Sequence, residues 1–361
     1  MFVAWRDLRF AKGRFALMGA VVVLITLLVG LLSGLTAGLA RENTSAITGL
    51  PADHLAFAAP PDGQSVSFTN SLVEQRSWEK WAARPGVTSA QPVGISTLNA
   101  TAGKRSGAVS AFGVEPASGI APDGIAAGDA VLSEQAAADL GVGVGDRVRL
   151  GASGVEERVA RIASDASYSH TPVVWITLDD WQALGNRGTS MDEQATVIAL
   201  RTGDGVDLGA GDAAAGTRTT SLDGALDAIG SYQAENGSLQ LMRGFLFVIS
   251  ALVIGAFFTV WTIQRAADIA VLKALGASTP YLLRDALGQA VVMLVIGTGL
   301  GSAIAVGVGW FIGGSDVPFV LEASTVLWPA VVMVVLGVVG AGLSVRRITA
   351  VDPLVALGSA R

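Results

Sequence analysis

A chain of 361 residues that is 51% apolar, only 15% charged and free of cysteine is not an ordinary soluble protein, whose charged share is nearer about a quarter. The absence of cysteine excludes disulfides, thiolate-bound zinc, iron–sulfur clusters and thiol catalysis. The overall pI near 5.0 conceals an uneven spread of charge, and no nucleic-acid partner is expected.

Residues 1–15 read as an interfacial amphipathic helix. Met1, Ala4, Trp5, Leu8, Ala11 and Phe15 share one face at three- and four-residue spacing, with Arg6, Arg9 and Arg14 off it. The plainer alternative is the solvated start of the helix that follows. Four stretches then carry no charge: Ala16 to Ala40, Gly244 to Gln264, Ala286 to Ser315 and Ala323 to Val345, of 25, 21, 30 and 23 residues. About 20 apolar residues suffice to cross a bilayer. The expected architecture is a membrane protein of four transmembrane α-helices (16–40, 239–264, 281–312 and 323–345). One α+β extracytoplasmic domain, 41–238, is inserted between helices 1 and 2. The first run is far longer than the roughly 7–15 apolar residues of a cleaved signal peptide, so it is expected to be retained.

Charge sets the orientation. The segments before span 1, between spans 2 and 3 and after span 4 hold ten basic and four acidic residues, against 14 and 26 in the rest. An excess of Lys and Arg marks cytoplasmic flanks. Both termini and the 265–280 segment are therefore expected inside, the outer loop 313–322 and the 41–238 domain outside, and the chain in the plasma membrane with lipid around it.

Within 41–238 short strands and helices alternate, with room for two lobes. Ser77 to Arg84 reads as a helix stopped by Pro85-Gly86. Ala130 to Leu132 reads as a strand, followed by a helix that Ser133 caps and Gly141 ends. Gly145-Asp146 turns into a strand at Arg147 to Leu150. Pro172 to Thr177 and Thr196 to Arg201 are further strands, with Asp179 or Asp180 capping a helix after the first of these. The Gly/Ala-rich stretch 203–216 reads as a surface loop, and Ser221 to Tyr232 as a helix leading back to the membrane. Span 3 carries Gly288, Gly297, Gly299, Gly301, Gly307 and Gly309. These serve close helix packing or merely reflect the frequency of glycine in membrane helices.

No ATP-hydrolysing site is present: Gly103-Lys104-Arg105 lacks the rest of a phosphate-binding loop, and there is no HExxH or GxSxG. His54 and His170 are isolated in sequence and read as surface or packing residues. Thr262 to Leu287 is different. Ile269, Leu272 and Leu275 share a face that Gly276 closes, too long and too patterned for a simple turn. It suits docking into a groove of a soluble partner.

The run Gln264-Arg265-Ala266-Ala267-Asp268-Ile269-Ala270-Val271-Leu272-Lys273-Ala274-Leu275-Gly276-Ala277-Ser278 resembles the signature of the FtsX/MacB-type permeases, the type VII ABC transporter membrane subunits. Arg346-Arg347-Ile348 through Asp352-Pro353-Leu354-Val355-Ala356-Leu357 is similar to the family's closing motif, and Val131 to Val148 resembles part of its external domain. The resemblance is weak over 41–120 and 155–238. It implies a separate ATP-binding cassette ATPase subunit that holds ATP and Mg, a second permease copy in a homodimer, and coupling through Arg265, Asp268, Ile269, Leu272, Lys273, Leu275 and Gly276. It also implies mechanotransmission, in which ATP-driven closure moves the long helices and the external domain. Within the family the chain is most similar to the haem exporter permeases of Gram-positive bacteria. No intrinsic cofactor is expected; haem is the candidate substrate. Its apolar ring, propionates and iron match Arg41, Glu42, Tyr232, Glu235, Met242, Arg243 and Phe245 at the outer helix ends, with Glu235 and Met242 as candidate iron ligands. The opposing reading is that charges there only mark the membrane interface. Other branches of the family imply a non-transporting regulator of cell-wall hydrolases or a lipid- or lipoprotein-handling permease.

Overall fold

The computed structural model describes residues 12–186, 193–264, 271, 276–312 and 317–349. Residues 1–11 of the expected interfacial helix, the docking residues Arg265, Asp268, Ile269, Leu272, Lys273 and Leu275, and the closing motif beyond 349 lie outside the described residues. The chain forms two compact units, Met1–Gly38 with Gly237–Arg361, and Leu39–Asn236.

α1 (Lys12–Thr48) is followed by β1 (His54–Ala58), β2 (Val73–Glu74), α2 (Gln75–Ala82) and a long hairpin, β3 (Val87–Ala102) and β4 (Arg105–Val114). Then come β5 (Asp129–Ser133), α3 (Glu134–Leu140), β6 (Arg147–Leu150), β7 (Val155–Ala163), β8 (Ser167–Tyr168), β9 (Thr171–Thr177) and α4 (Leu178–Trp181). β10 (Gln194–Ala195), β11 (Val197–Thr202), α5 (Leu208–Ala215), β12 (Thr217–Ser221) and α6 (Leu222–Ala225) lead to three long helices, α7 (Gly230–Gln264), α8 (Thr279–Ile312) and α9 (Ala323–Thr349). α1, α7, α8 and α9 are long and apolar enough to span a membrane, and the mixed α/β domain lies between the first and second of them.

The main sheet of that domain runs β12–β1–β11–β3–β4–β9–β5–β7–β6. β6 also pairs back onto β3, with Ala100 opposite Leu150 and Thr101 opposite Arg149. β3, β4, β9, β5, β7 and β6 therefore close into a ring, while the first half of β3 carries β11, and through it β1 and β12. Residues alternate between two cores, as period-2 strands require when both faces are covered. In β9, Val174 and Ile176 enter one core and Val173 and Trp175 the other. In β11, Ile198 and Leu200 alternate in the same way with Val197 and Ala199.

Gly94 and Gly113 lie directly opposite one another on β3 and β4. A Cβ at Gly94 would land on the Trp181 ring, and one at Gly113 on the Trp181 Cβ and Cγ. The glycine pair is a notch that lets α4 seat its indole flat on the sheet, with Trp181 2% exposed.

Local capping follows the sequence in part. Ser133 accepts from the Ala136 N–H, and Gly141 ends α3 with φ 63°. α4 is capped by Thr177, not by Asp179 or Asp180: Thr177 is extended, whereas Asp179 and Asp180 already lie in the first helical turn. Asp180 instead takes the Thr177 hydroxyl at 2.6 Å. The stretch 203–216 is not a plain loop, because Asp207 caps α5 within it. Its small residues have a packing reason: α5 lies against Trp81, and a Cβ on Gly211 would enter that ring. The expected helix from Ser221 to Tyr232 is broken by Ile229, whose extended backbone separates a short helical turn from α7.

One charge is misplaced by ordinary standards. Glu157 on β7 is 1% exposed, and neither carboxylate oxygen has a hydrogen-bond partner. Burial, then the nearby charges of Asp180 and Asp129, push its pKa up from 4.5 to about 7.

In the helical unit, Met18, Val22, Val29, Ile254, Phe258, Trp261, Met293, Leu294 and Met333 form the core. The α8 glycines divide: Gly297 and Gly301 face Val22 and Thr26 of α1 and Gly309 faces Phe319, whereas Gly288, Gly299 and Gly307 meet nothing. Close packing thus accounts for half of the six. Gly34 of α1 also faces Phe319, and the Val320 N–H donates to the Gly34 carbonyl at 3.1 Å, which pins the segment before α9 to α1.

Candidate functional site

Within the α/β domain, the last turns of α1 and the first of α7 meet the turn between β8 and β9. That turn is anchored from behind by Tyr168, which is 8% exposed. Its ring packs edge-on against Phe68 and Phe112, with centroids at 5.5 and 5.9 Å. The next two residues, Ser169 and His170, have left-handed backbones with φ 50° and 61°, a conformation costing non-glycine residues roughly 1–2 kcal/mol each. Their N–H groups compensate by donating to α1, Ser169 to the Asn43 carbonyl at 3.0 Å and His170 to the Glu42 carbonyl at 3.2 Å. The Ser167 N–H adds a bond to Ser45 Oγ at 2.8 Å.

The side chains converge on Glu235 of α7. His170 Nε2 lies 2.9 Å from both Glu235 oxygens, and Asn43 Nδ2 donates to Glu235 Oε2 at 3.0 Å. Asn43, 1% exposed, also takes the Ser231 hydroxyl at 2.6 Å, and Ser231 and Ser169 share a hydrogen bond of 2.9 Å. On the other side of the ring, His170 Nδ1 is 3.4 Å from Glu42. A bare Nε2 would set its lone pair against the carboxylate, so the tautomer this geometry favours carries the proton on Nε2 and donates it to Glu235. The cost is a 2.7 Å approach of the Asn43 amide nitrogen to the same ring atom. The result is an anionic oxygen donor, partly open to solvent, held by an imidazole and an amide.

The expected site residues are thus partly gathered. Glu42 and Glu235 flank one imidazole. Arg41 is exposed beside them in sequence, and Tyr232 is half-buried against the domain core. Met242 and Phe245, 53% and 66% exposed, belong to the helical unit, as does Arg243, which donates to Gln240 at 2.7 Å. Among the described residues no set of three or more His, Asp or Glu side chains is arranged to hold a metal ion. His170 is not the isolated residue its sequence context suggests. It lies 65 positions from Glu235 and 127 from Asn43, and no local motif announces it; the polar run Arg41-Glu42-Asn43 at the end of an apolar helix was the one visible sign. His54 does pack in the sheet, its Nδ1 3.4 Å from the Thr202 hydroxyl. Gly276, the described member of the docking set, has φ 94°, a positive backbone angle that favours glycine.

Four helices long and apolar enough to span a membrane, with a mixed α/β extracytoplasmic domain inserted in the chain between the first and second, define a polytopic membrane protein. The family model of the MacB-like periplasmic core domain matches residues 16–217, over half of the chain, and that of the FtsX-like permease C-terminal matches 241–353. The chain belongs to this family of FtsX/MacB-type ABC transporter permeases. It is 28% identical to a Staphylococcus haemolyticus protein named as a candidate hemin transport system permease, HrtB, over 99% of both chains. It is 24% identical to an uncharacterized ABC transporter permease of Mycobacterium bovis, also over 99% of both. Among solved structures it is similar to the periplasmic region of MacB from Actinobacillus actinomycetemcomitans, with TM-score 0.34 and 14% identity over 51% of this chain and 95% of that one.

Proposed function

We propose that the chain is the membrane subunit of an exporter driven by a separate ATP-binding cassette ATPase, and that its substrate is haem. The observation that carries the substrate is the full-length similarity to a hemin transport permease. In this reading ATP and Mg stay on the partner, two permease copies pair as a homodimer in lipid, and the chain contributes no enzymatic step. Spans 16–40, 239–264, 281–312 and 323–345 cross the plasma membrane with both termini in the cytoplasm. The 265–280 segment docks on the ATPase through Arg265, Asp268, Ile269, Leu272, Lys273, Leu275 and Gly276. Closure of the ATPases moves the helices and expels the substrate by mechanotransmission.

Haem needs an iron ligand, partners for two propionates and apolar walls. In the α/β domain Glu235 offers a carboxylate that half-faces solvent, Arg41 a cation, Tyr232 an aromatic ring and Glu42 a second carboxylate; in the helical unit Met242, Arg243 and Phe245 are the candidates for a soft ligand, a cation and an apolar contact. The test is a haemin titration of the purified permease with its ATPase. Glu235→Ala should lose the Soret shift and haem-stimulated ATP hydrolysis, and Met242→Ala and Arg243→Ala should weaken both. If all three match the wild type, haem binds elsewhere or not at all.

A further inference from the structure

On the reading of Glu235 as the haem ligand, we infer that His170 and Asn43 form a latch that competes with the substrate for that carboxylate, so that haem loading releases α7 from the β8–β9 turn.

The candidate ligand is already engaged. Both Glu235 oxygens lie 2.9 Å from His170 Nε2, and one also receives the Asn43 amide at 3.0 Å. Coordination by ferric haem forms an iron–oxygen bond at Glu235 and gives up those hydrogen bonds; the imidazole keeps its proton. Charge-assisted hydrogen bonds are the stronger kind, so displacing them lowers the apparent affinity for haem.

The consequences differ for the two helices. α1 holds the turn through backbone donors, Ser169 to Asn43 and His170 to Glu42, and through Ser45. None of these involves Glu235. α7 holds the turn through the Glu235 carboxylate and the Ser231 hydroxyl. Taking Glu235 away leaves α1 attached to the turn and α7 with only the Ser231 hydroxyl bond to it, a single neutral hydrogen bond too weak to hold the helix there. The same turn feeds directly into β9, which pairs with β4 and β5 at the middle of the closed ring. Occupancy at Glu235 is thereby read out as a change in which helix grips the domain. The left-handed backbones of Ser169 and His170 fit a turn held in place by its partners rather than by its own preference.

The experiment uses the full-length permease with its ATPase, titrated with haemin and read by Soret absorbance and by ATP hydrolysis. His170→Ala should bind haemin about tenfold more tightly than the wild type and hydrolyse ATP at the stimulated rate without haemin. His170→Gln, which keeps an N–H donor, should return toward wild-type behaviour. If the wild type shows no Soret shift, the substrate reading falls and the latch with it; if Glu235→Gln binds haemin as the wild type does, Glu235 is not the ligand and the latch falls. If Glu235→Gln loses binding but His170→Ala shows wild-type or weaker affinity, the substrate reading stands and the latch alone is overturned. Should His170→Ala not fold, the cysteine-free background permits Ser169→Cys with Ser231→Cys, at hydroxyls 2.9 Å apart. The oxidised pair should abolish haemin stimulation and dithiothreitol should restore it; an equal response in both states overturns the latch.

Discussion

Glu157→Gln should stabilise the external domain in alkaline buffer relative to acidic buffer. Glu157 is buried without a hydrogen-bond partner, and its pKa is pushed from 4.5 to about 7. Between those values the folded state keeps a proton that the unfolded state has lost, so stability falls as pH rises through that window and levels off above it. The interval corresponds to about 3 kcal/mol. Gln does not titrate, so the variant lacks this slope. Its amide is buried without a partner, at a cost of roughly 1–3 kcal/mol, but that cost is the same at every pH. The informative quantity is therefore the variant's melting temperature minus the wild type's at pH 8, compared with the same difference at pH 4.5. For a domain of this size, about 2–4 °C per kcal/mol makes the expected gap about 6–12 °C. Thermal unfolding of the full chain in nanodiscs, followed by fluorescence of the buried Trp78, Trp81, Trp175 and Trp181, measures it. Equal differences at the two pH values would refute the claim that Glu157 is held protonated by its surroundings.

The docking helix is tested by Leu272→Asp, which should leave membrane insertion intact and uncouple ATP hydrolysis from export; normal export with stimulated hydrolysis would sink the docking role. Orientation is tested with Lys104→Cys at the exposed hairpin tip and Ser359→Cys. On intact cells a membrane-impermeant thiol reagent should label position 104 and spare 359, and the reverse pattern would overturn the charge argument. Gly113→Ala sets a methyl onto the Trp181 Cβ and Cγ and should destabilise the domain by about 1–3 kcal/mol, visible as a lower melting temperature at unchanged haemin affinity.

What could be read in the sequence was local. Uncharged runs revealed the spans because length and charge decide that question residue by residue. Ser133 and Gly141 marked α3 because a cap acts within one turn, and Arg147 to Leu150 stood out after its Gly-Asp turn. α5 was hidden because its glycine and alanine serve a neighbour, Trp81, that lies far away in sequence. Ring closure depends on Ala100 and Thr101 meeting Leu150 and Arg149, a register that no segment announces by itself. The same holds for the site: Glu42 and Glu235 were visible as charges at helix ends, but the histidine between them comes from a turn whose neighbours in sequence give no sign of either helix.

The pairing of Asn43 with Ser231 has a consequence for biosynthesis. The two residues are 188 positions apart, and β1, which follows α1, has β11 and β12 as its partners in the sheet. At typical synthesis rates the distance corresponds to on the order of ten to forty seconds. Until β11 follows at residue 197, β1 waits with both strand edges unpaired and with Leu55 and Phe57, both 0% exposed in the finished fold, lacking the cover the later segments bring. The domain cannot mature outward from its first helix; it must be closed by its last segments, and a nascent chain stalled before residue 197 would present an aggregation-prone edge to its surroundings.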